Sequence, residues 1–386
     1  MRILIGADTY PPDVNGAARF AERLAGGLAA DGHEVHVLAP SPDGPAHSDE
    51  TGDVTVHRVR SVRCPGPVGF RASLPWVSGT AAARLVRELE PDVVHVQAHF
   101  SVGRGLALAA GANGVPLVAT NHFMPENLVA HARIPGWLRA GAGLAAWRDL
   151  RGVYRRADVL TAPTGRAVDL LARATGLVAL PISCGVEIPP EPTPEPAGPP
   201  TILFVGRLDP EKRVDDLLRA AALLPAGGEW RVEIIGDGLR RADLEDLAQD
   251  LGLAGRVTFR GFVSDADLAA AYRRCAVFCM PGVAELQSLV TLEAMAVGRP
   301  VAAADAMALP HLVRPGRNGF LHRPADPAAL ADALAVLLAD PLLRHRMGRA
   351  SREIVRAHDL TATVRTFTDV YRRLAGHPTV AALAAA

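Results

Sequence analysis

The chain of 386 residues is long enough for two domains of ordinary size, each with its own core. Its 41 basic and 41 acidic side chains cancel, and they cancel locally too, with 18 arginines against 17 carboxylates through residue 190; a nucleic-acid binder carries a basic surplus, so no nucleic-acid partner is expected. No apolar run is long enough to span a bilayer, and Cys64, Cys184, Cys275 and Cys279 have no paired metal spacing, which fits a reducing, cytoplasmic location.

Met1 to Gly6 reads as a buried strand rather than a secretion signal, because its apolar run is short and turns directly into Asp8 and Pro11-Pro12. Asn15-Gly16 then precedes a helix that starts near Ala17. Further strands are expected at Glu34 to Leu38, Val54 to Arg58, Val93 to Val96, Leu117 to Thr120 and Val159 to Ala162. Asn121-His122 lies at the carboxyl end of the strand from Leu117, the side of an α/β sheet where ligands bind. His95 and His99 have the spacing to join His122 at a metal, but no carboxylate or cysteine completes the set, and no metal is expected.

From Ile134 to Tyr154 the residues Trp147, Leu150 and Tyr154 recur at helical spacing, with Arg148, Arg151 and Arg155 one step round. Most such stripes pack on their own domain with snorkelling arginines at the rim. The second reading of 134–154 is peripheral contact with a membrane, at its inner face.

Residues 189–200 hold seven prolines, which lack the amide donor and fix their own torsion, so the stretch is expected to link two domains. Strands then resume at Ile202 to Val205, Val232 to Ile235, Val257 to Arg260, Val277 to Met280 and Val301 to Ala303. Apolar strands alternating with amphipathic helices mean parallel sheets covered on both faces. The expected organisation is a first domain over 1–188, the linker, a second domain over 201–358 and a last helix within 359–376 that crosses back to the first domain. Two such domains would place a cleft at the carboxyl ends of both sheets.

Lys212 is the single lysine beside forty arginines, in the stretch Val205-Gly206-Arg207-Leu208-Asp209-Pro210-Glu211-Lys212-Arg213. Arginine offers a planar fork and lysine a compact point charge, so both on one strand-end loop suit a diphosphate. Gly236-Asp237-Gly238 reads as a tight strand-to-helix turn, and Asp265-Ala266-Asp267 as acids that complement a helix start after Ser264.

In the second domain, Glu285-Leu286-Gln287-Ser288-Leu289-Val290-Thr291-Leu292-Glu293 resembles the E-x7-E signature of the retaining glycosyltransferases of family 4, with the GT-B fold of two Rossmann-like doubly wound domains facing a central cleft. Gly206-Arg207 with Lys212 resembles that family's phosphate loop, Pro11-Pro12 with Asn15-Gly16 its first glycine loop, and His122 its strand-end histidine; the motifs arrive in the family's order over almost the whole chain. The resemblance implies a retaining, metal-independent hexosyltransferase that uses a nucleotide sugar, with no cofactor. It implies His122, Arg207, Lys212 and Glu285 as catalytic residues. Gly16, Gly261, Phe262, Ser288, Leu289, Val290 and Glu293 would join Arg207, Lys212 and Glu285 in binding the donor, and Asn15 and Asn121 would lie on the acceptor side.

Where this chain has Gln287 and Ser288, the family often has an aromatic residue and a glycine; Ser288 is expected to cap the following helix and leave the amides of Leu289 and Val290 toward the phosphates. Some mannosyltransferases of the family read guanine with an acid and a lysine, for which this chain has Ser264 and Leu268, so a uridine donor is favoured over GDP-mannose. The hydroxyl acceptor is a small metabolite, a polyol or a lipid. A sugar-nucleotide 2-epimerase of the same fold and a binding-only relative are the rivals, whereas a phosphorylase would need a second lysine to hold pyridoxal phosphate as an imine.

Overall fold

β-Branched and aliphatic runs too short for helices and too apolar for loops form most of the strands, and most of these are followed by a helix that buries one face on them. The computed structural model describes residues 1–64, 71–124, 136–191, 193–194 and 198–376. In chain order the strands are β1 Arg2–Gly6, β2 Glu34–Pro40, β3 His47–Thr51, β4 Val54–Val59, β5 Val62–Arg63, β6 Arg71–Ala72, β7 Val93–Val96, β8 Leu117–Thr120, β9 Val159–Ala162, β10 Leu180–Pro181, β11 Thr201–Val205, β12 Arg231–Ile235, β13 Val257–Gly261, β14 Val277–Met280, β15 Val301–Ala304 and β16 Gly319–His322. The helices are α1 Gly16–Ala30, α2 Pro75–Leu89, α3 Ser101–Asn113, α4 Gly136–Tyr154, α5 Gly165–Thr175, α6 Val214–Ala222, α7 Arg241–Asp250, α8 Asp265–Arg274, α9 Leu289–Ala296, α10 Leu309–Leu312, α11 Pro327–Ala339, α12 Pro341–Val355 and α13 Leu360–Ala375.

The chain divides into two compact units, Met1–Cys184 with the segment from Leu360 onward, and Gly185–Asp359. The first holds a sheet in the order β10-β9-β8-β7-β1-β2-β4-β3, parallel except for β3, which runs antiparallel to β4. Strand β3, His-Ser-Asp-Glu-Thr, has no apolar pattern because it covers an exposed edge, and the sequence gives no sign of it. The second unit holds a wholly parallel sheet in the order β13-β12-β11-β14-β15-β16.

Helix α13 lies beyond the last strand yet belongs to the first unit, where Phe367 and Tyr371 are fully buried and Phe367 packs at a tilt against Phe20 of α1, ring centroids 5.8 Å apart. The apolar stripe of α4 also packs inward: Trp147, Leu150 and Tyr154 are buried, and the Tyr154 hydroxyl donates to the Thr120 carbonyl at 3.2 Å. Residues 134–135 of the stretch singled out above lie outside the described residues.

The passage between units falls at Cys184–Gly185 and Asp359–Leu360, so the proline-rich stretch expected as linker is part of the second unit. Unbonded proline carbonyls are held there by arginines. Arg352 donates to the carbonyl of Pro189 at 2.7 Å, and Arg299 to that of Pro194 at 3.0 Å. Arg299 is 2% exposed and also donates to the carbonyls of Tyr272 at 3.2 Å and Arg273 at 2.6 Å. Arg299→Met would keep the apolar stem and remove the donor shared by three carbonyls, one of them buried, so chemical denaturation should show a stability loss of about 1–3 kcal/mol; an unchanged midpoint would contradict this account.

Candidate active site

The loop after β11 turns at Gly206 and carries Arg207, followed by a short helical turn Pro210–Lys212. Its neighbour after β12 fits only because Gly236 and Gly238 lack side chains: a Cβ at Gly236 would stand 2.0 Å from the Gly206 carbonyl oxygen, and one at Gly238 2.6 Å from the Leu208 nitrogen. These glycines therefore serve close backbone packing, as the sequence reading of a tight turn implies.

Two cations leave this loop, and each is held by carboxylates. Arg207 places Nη1 2.8 Å from Asp209 Oδ2 and Nη2 3.0 Å from Glu211 Oε1. Lys212 Nζ donates to Glu285 Oε1, with both side chains largely buried. The loop from Met280 to Ser288 is fixed to the first by the Val283 amide, which donates to the Glu211 carbonyl at 2.9 Å, and its own carbonyl at Glu285 accepts from the Ala308 amide at 3.1 Å. The lysine and the first glutamate of the E-x7-E pattern, 73 residues apart in sequence, are thus direct partners.

Helix α9 begins immediately after Ser288, which does not cap it as expected. Ser288 adopts the left-handed conformation with φ 69°, makes no side-chain cap, and pairs its hydroxyl with that of Thr291 at 2.8 Å. That conformation costs a non-glycine residue on the order of 1 kcal/mol. It gives a physical reason for the glycine that the resembling family places here. The amides of Leu289 and Val290 open the helix. Glu293, on the second turn, accepts from the Tyr272 hydroxyl at 2.9 Å. Gly261 ends β13 with φ 65°, and Phe262 after it is 63% exposed, a large aromatic face at a strand's carboxyl end.

In the first unit Asn121 is buried, with Oδ1 accepting from the Phe123 amide at 3.2 Å, and His122 follows with its ring against Phe20 of α1, centroids 4.9 Å apart. Burial pushes the His122 imidazole down to about 4, so it is neutral at physiological pH. Its Nε2 lies 2.9 Å from Gln97 Oε1 and its Nδ1 3.9 Å from Cys184 Sγ. Asn15 caps α1, its Oδ1 accepting from the Ala18 amide at 2.9 Å, and Gly16 is the exposed first residue of that helix. Among the described residues no three His, Cys, Asp or Glu side chains gather as a metal site. His95 is instead bonded to Tyr371 and Thr120, and His99 packs between Phe100 and Phe123.

The structure therefore gathers Arg207, Lys212 and Glu285 in one group of the second unit, and Asn121 and His122 in one group of the first. Sequence reasoning missed the residues that hold them. Asp209 and Glu211 stood in view at two and four positions from Arg207, whereas Tyr272 and Gln97 carry no local signal, because each meets its partner across 20 residues or more.

A family model described as glycosyl transferases group 1 matches residues 187–354, and one described as glycosyltransferase family 4 matches residues 14–188. A GDP-mannose-dependent alpha-mannosyltransferase of Mycolicibacterium smegmatis is 34% identical over 390 residues, covering 98% of this chain and 96% of that protein. The chain belongs to glycosyltransferase family 4. A phosphatidyl-myo-inositol mannosyltransferase of Mycobacterium leprae is 32% identical and covers 95% of each chain. The solved sucrose-phosphate synthase of Thermosynechococcus elongatus aligns with a TM-score of 0.81 at 23% identity, over 97% of this chain and 98% of that one. This family 4 protein therefore has the GT-B fold and is a retaining glycosyltransferase.

Lys212→Ala and Glu285→Gln in this glycosyltransferase should each leave the circular dichroism spectrum unchanged and lower turnover by roughly a hundredfold or more. Wild-type turnover in either would remove that residue from the site.

Proposed function

We propose that this glycosyltransferase moves mannose from GDP-mannose to a hydroxyl of a lipid-borne acceptor with retention at the anomeric carbon. The observation that carries the chemistry is the Lys212–Glu285 pair beside the first turn of α9, a phosphate-binding cation next to a carboxylate able to accept from sugar hydroxyls. As the bond from the anomeric carbon to the phosphate oxygen breaks, charge grows on the diphosphate. Arg207, Lys212 and the amides of Leu289 and Val290 stabilise it, at about 3 kcal/mol for each well-aimed donor. Glu285 and Glu293 accept hydrogen bonds from hydroxyls of the sugar and the ribose. The acceptor oxygen bonds to the same face of the anomeric carbon, and its proton passes to the departing phosphate oxygen.

For the donor, the relatives named for GDP-mannose at 34% and 32% identity outweigh the uridine preference drawn from Ser264 and Leu268. Arg241 supports guanine: its Nη1 lies 2.9 Å from where a Cβ of Gly261 would stand, and Asp237 and Glu245 hold it at 3.2 and 2.8 Å. Nη2 donates to none of the described residues. An arginine fork suits the O6 and N7 acceptors of guanine, while Phe262 offers any base a stacking face. For the acceptor, the relative named for phosphatidyl-myo-inositol favours a lipid, and the exposed Arg148, Arg151, Arg155 and Arg156 of α4 and the turn after it favour peripheral contact with an anionic membrane surface.

Thermal denaturation with GDP, UDP and ADP tests the donor, since a ligand that binds the native state raises the melting temperature. GDP should give the largest rise, and Arg241→Ala should shrink its lead over UDP; UDP ranking first would overturn the guanine reading. Turnover of the wild-type enzyme should persist in excess chelator, and a strict need for added manganese would contradict the metal-free mechanism.

A further inference from the structure

His122 is the one candidate catalytic side chain whose ring nitrogens both face protein groups at close range, and those groups lead away through the core of the first unit. Gln97 follows β7 directly, is 2% exposed, and is anchored by its amide, which donates to the Gly6 carbonyl at 2.8 Å. Its side-chain oxygen lies 2.9 Å from His122 Nε2. An amide oxygen only accepts, so Nε2 must carry the hydrogen, and a neutral ring then leaves Nδ1 as an acceptor, on the side of the Cys184 thiol at 3.9 Å.

The other end of the Gln97 amide is also fixed. Its nitrogen lies 3.4 and 3.3 Å from the two ring nitrogens of His95. That ring is held in turn by the Tyr371 hydroxyl at 2.6 Å on Nδ1 and the Thr120 hydroxyl at 2.7 Å on Nε2, with Thr120 paired to Thr161 at 2.7 Å. Both His95 nitrogens already have hydroxyl partners. The Gln97 amide nitrogen, a donor, can rest on this electron-rich ring, whereas the amide oxygen would meet it as one more acceptor. All these groups are buried, so each donor and acceptor that lacks its partner costs free energy.

We infer that Gln97 is a positioning residue that locks His122 in the Nε2–H tautomer, and that Tyr371 of the C-terminal helix α13 sets the orientation of Gln97 through His95. The acceptor nitrogen of the imidazole is then Nδ1, which faces the Cys184 thiol at 3.9 Å, and neither ring nitrogen is free to donate a proton to substrate. The inference rests on the role that the family resemblance gives His122 near the reacting sugar.

The test is two-bond proton–nitrogen correlation on protein labelled with nitrogen-15 histidine, with the His122 signals assigned by their loss in His122→Asn. The wild-type protein should show His122 as Nε2–H; an Nδ1–H pattern would overturn the inference without any further variant. Gln97→Met keeps the length and removes the acceptor. It should mix the tautomers and lower kcat by roughly tenfold to a hundredfold with the KM for donor within about twofold. Gln97→Glu should restore the Nε2–H pattern, because a carboxylate also accepts. An unmixed Nε2–H pattern with full turnover in Gln97→Met would also overturn it. If His122→Asn itself turns over like wild type, the role of His122 fails, while the tautomer pattern still decides what Gln97 does.

Discussion

Parallel strand pairing is the constraint from which the chemistry of this glycosyltransferase follows. In a parallel sheet every strand ends on the same edge, so residues far apart in sequence reach one rim without any long-range signal between them. In the second unit that rim receives Gly206 and Arg207 from β11, Gly236 from β12, Gly261 and Phe262 from β13, and the loop to Glu285 from β14. In the first it receives Asp8 after β1, Gln97 after β7 and His122 after β8. Asp8 shows how the rim is closed: its carboxylate accepts from the Val102 amide at 2.8 Å and the Gly103 amide at 3.2 Å at the start of α3, and burial raises its pKa to about 6. Buried carboxylates that accept amides in this way tie one strand end to the next helix.

The two rims are built on different electrostatics. The second unit concentrates charge, with cations whose positions are set by Asp209, Glu211 and Glu285 rather than by their own flexible stems. Fixing the cations beforehand lowers the reorganisation needed when charge develops on a leaving group. In the first unit the histidines and the thiol beside them are neutral: burial pushes His95 down to about 3 and both His99 and His122 to about 4, and raises the Cys184 thiol to about 12. Hydrogen bonds between uncharged groups set orientation there, and the hydroxyl of Tyr371 makes the C-terminal helix part of that network.

Much of this was legible in the chain. The strand-and-helix alternation gave the α/β class because buried parallel strands must be apolar on both faces, and Lys212 stood out because the single lysine beside forty arginines falls on a strand-end loop next to Arg207. Glu285 and Glu293 were singled out by their resemblance to the family's E-x7-E signature, and the inward face of α4 by its period. The conformation of Ser288 was not legible, since serine is a good helix cap and only the path of the preceding loop forces it to φ 69°. Nor was the placement of the proline-rich stretch, which composition marks as irregular but which Arg299 and Arg352 bind to the second unit.

By itself the sequence determined the apolar parallel strands at the middle of each sheet, where those strands end and which side chains bear charge, since propensity, period and composition act locally. The tertiary structure alone decided the pairings: Lys212 with Glu285, Tyr272 with Glu293, Gln97 with His122, and Tyr371 with His95. Each joins residues from different elements, and a contact of that kind exists only after the sheets have aligned the ends of their strands.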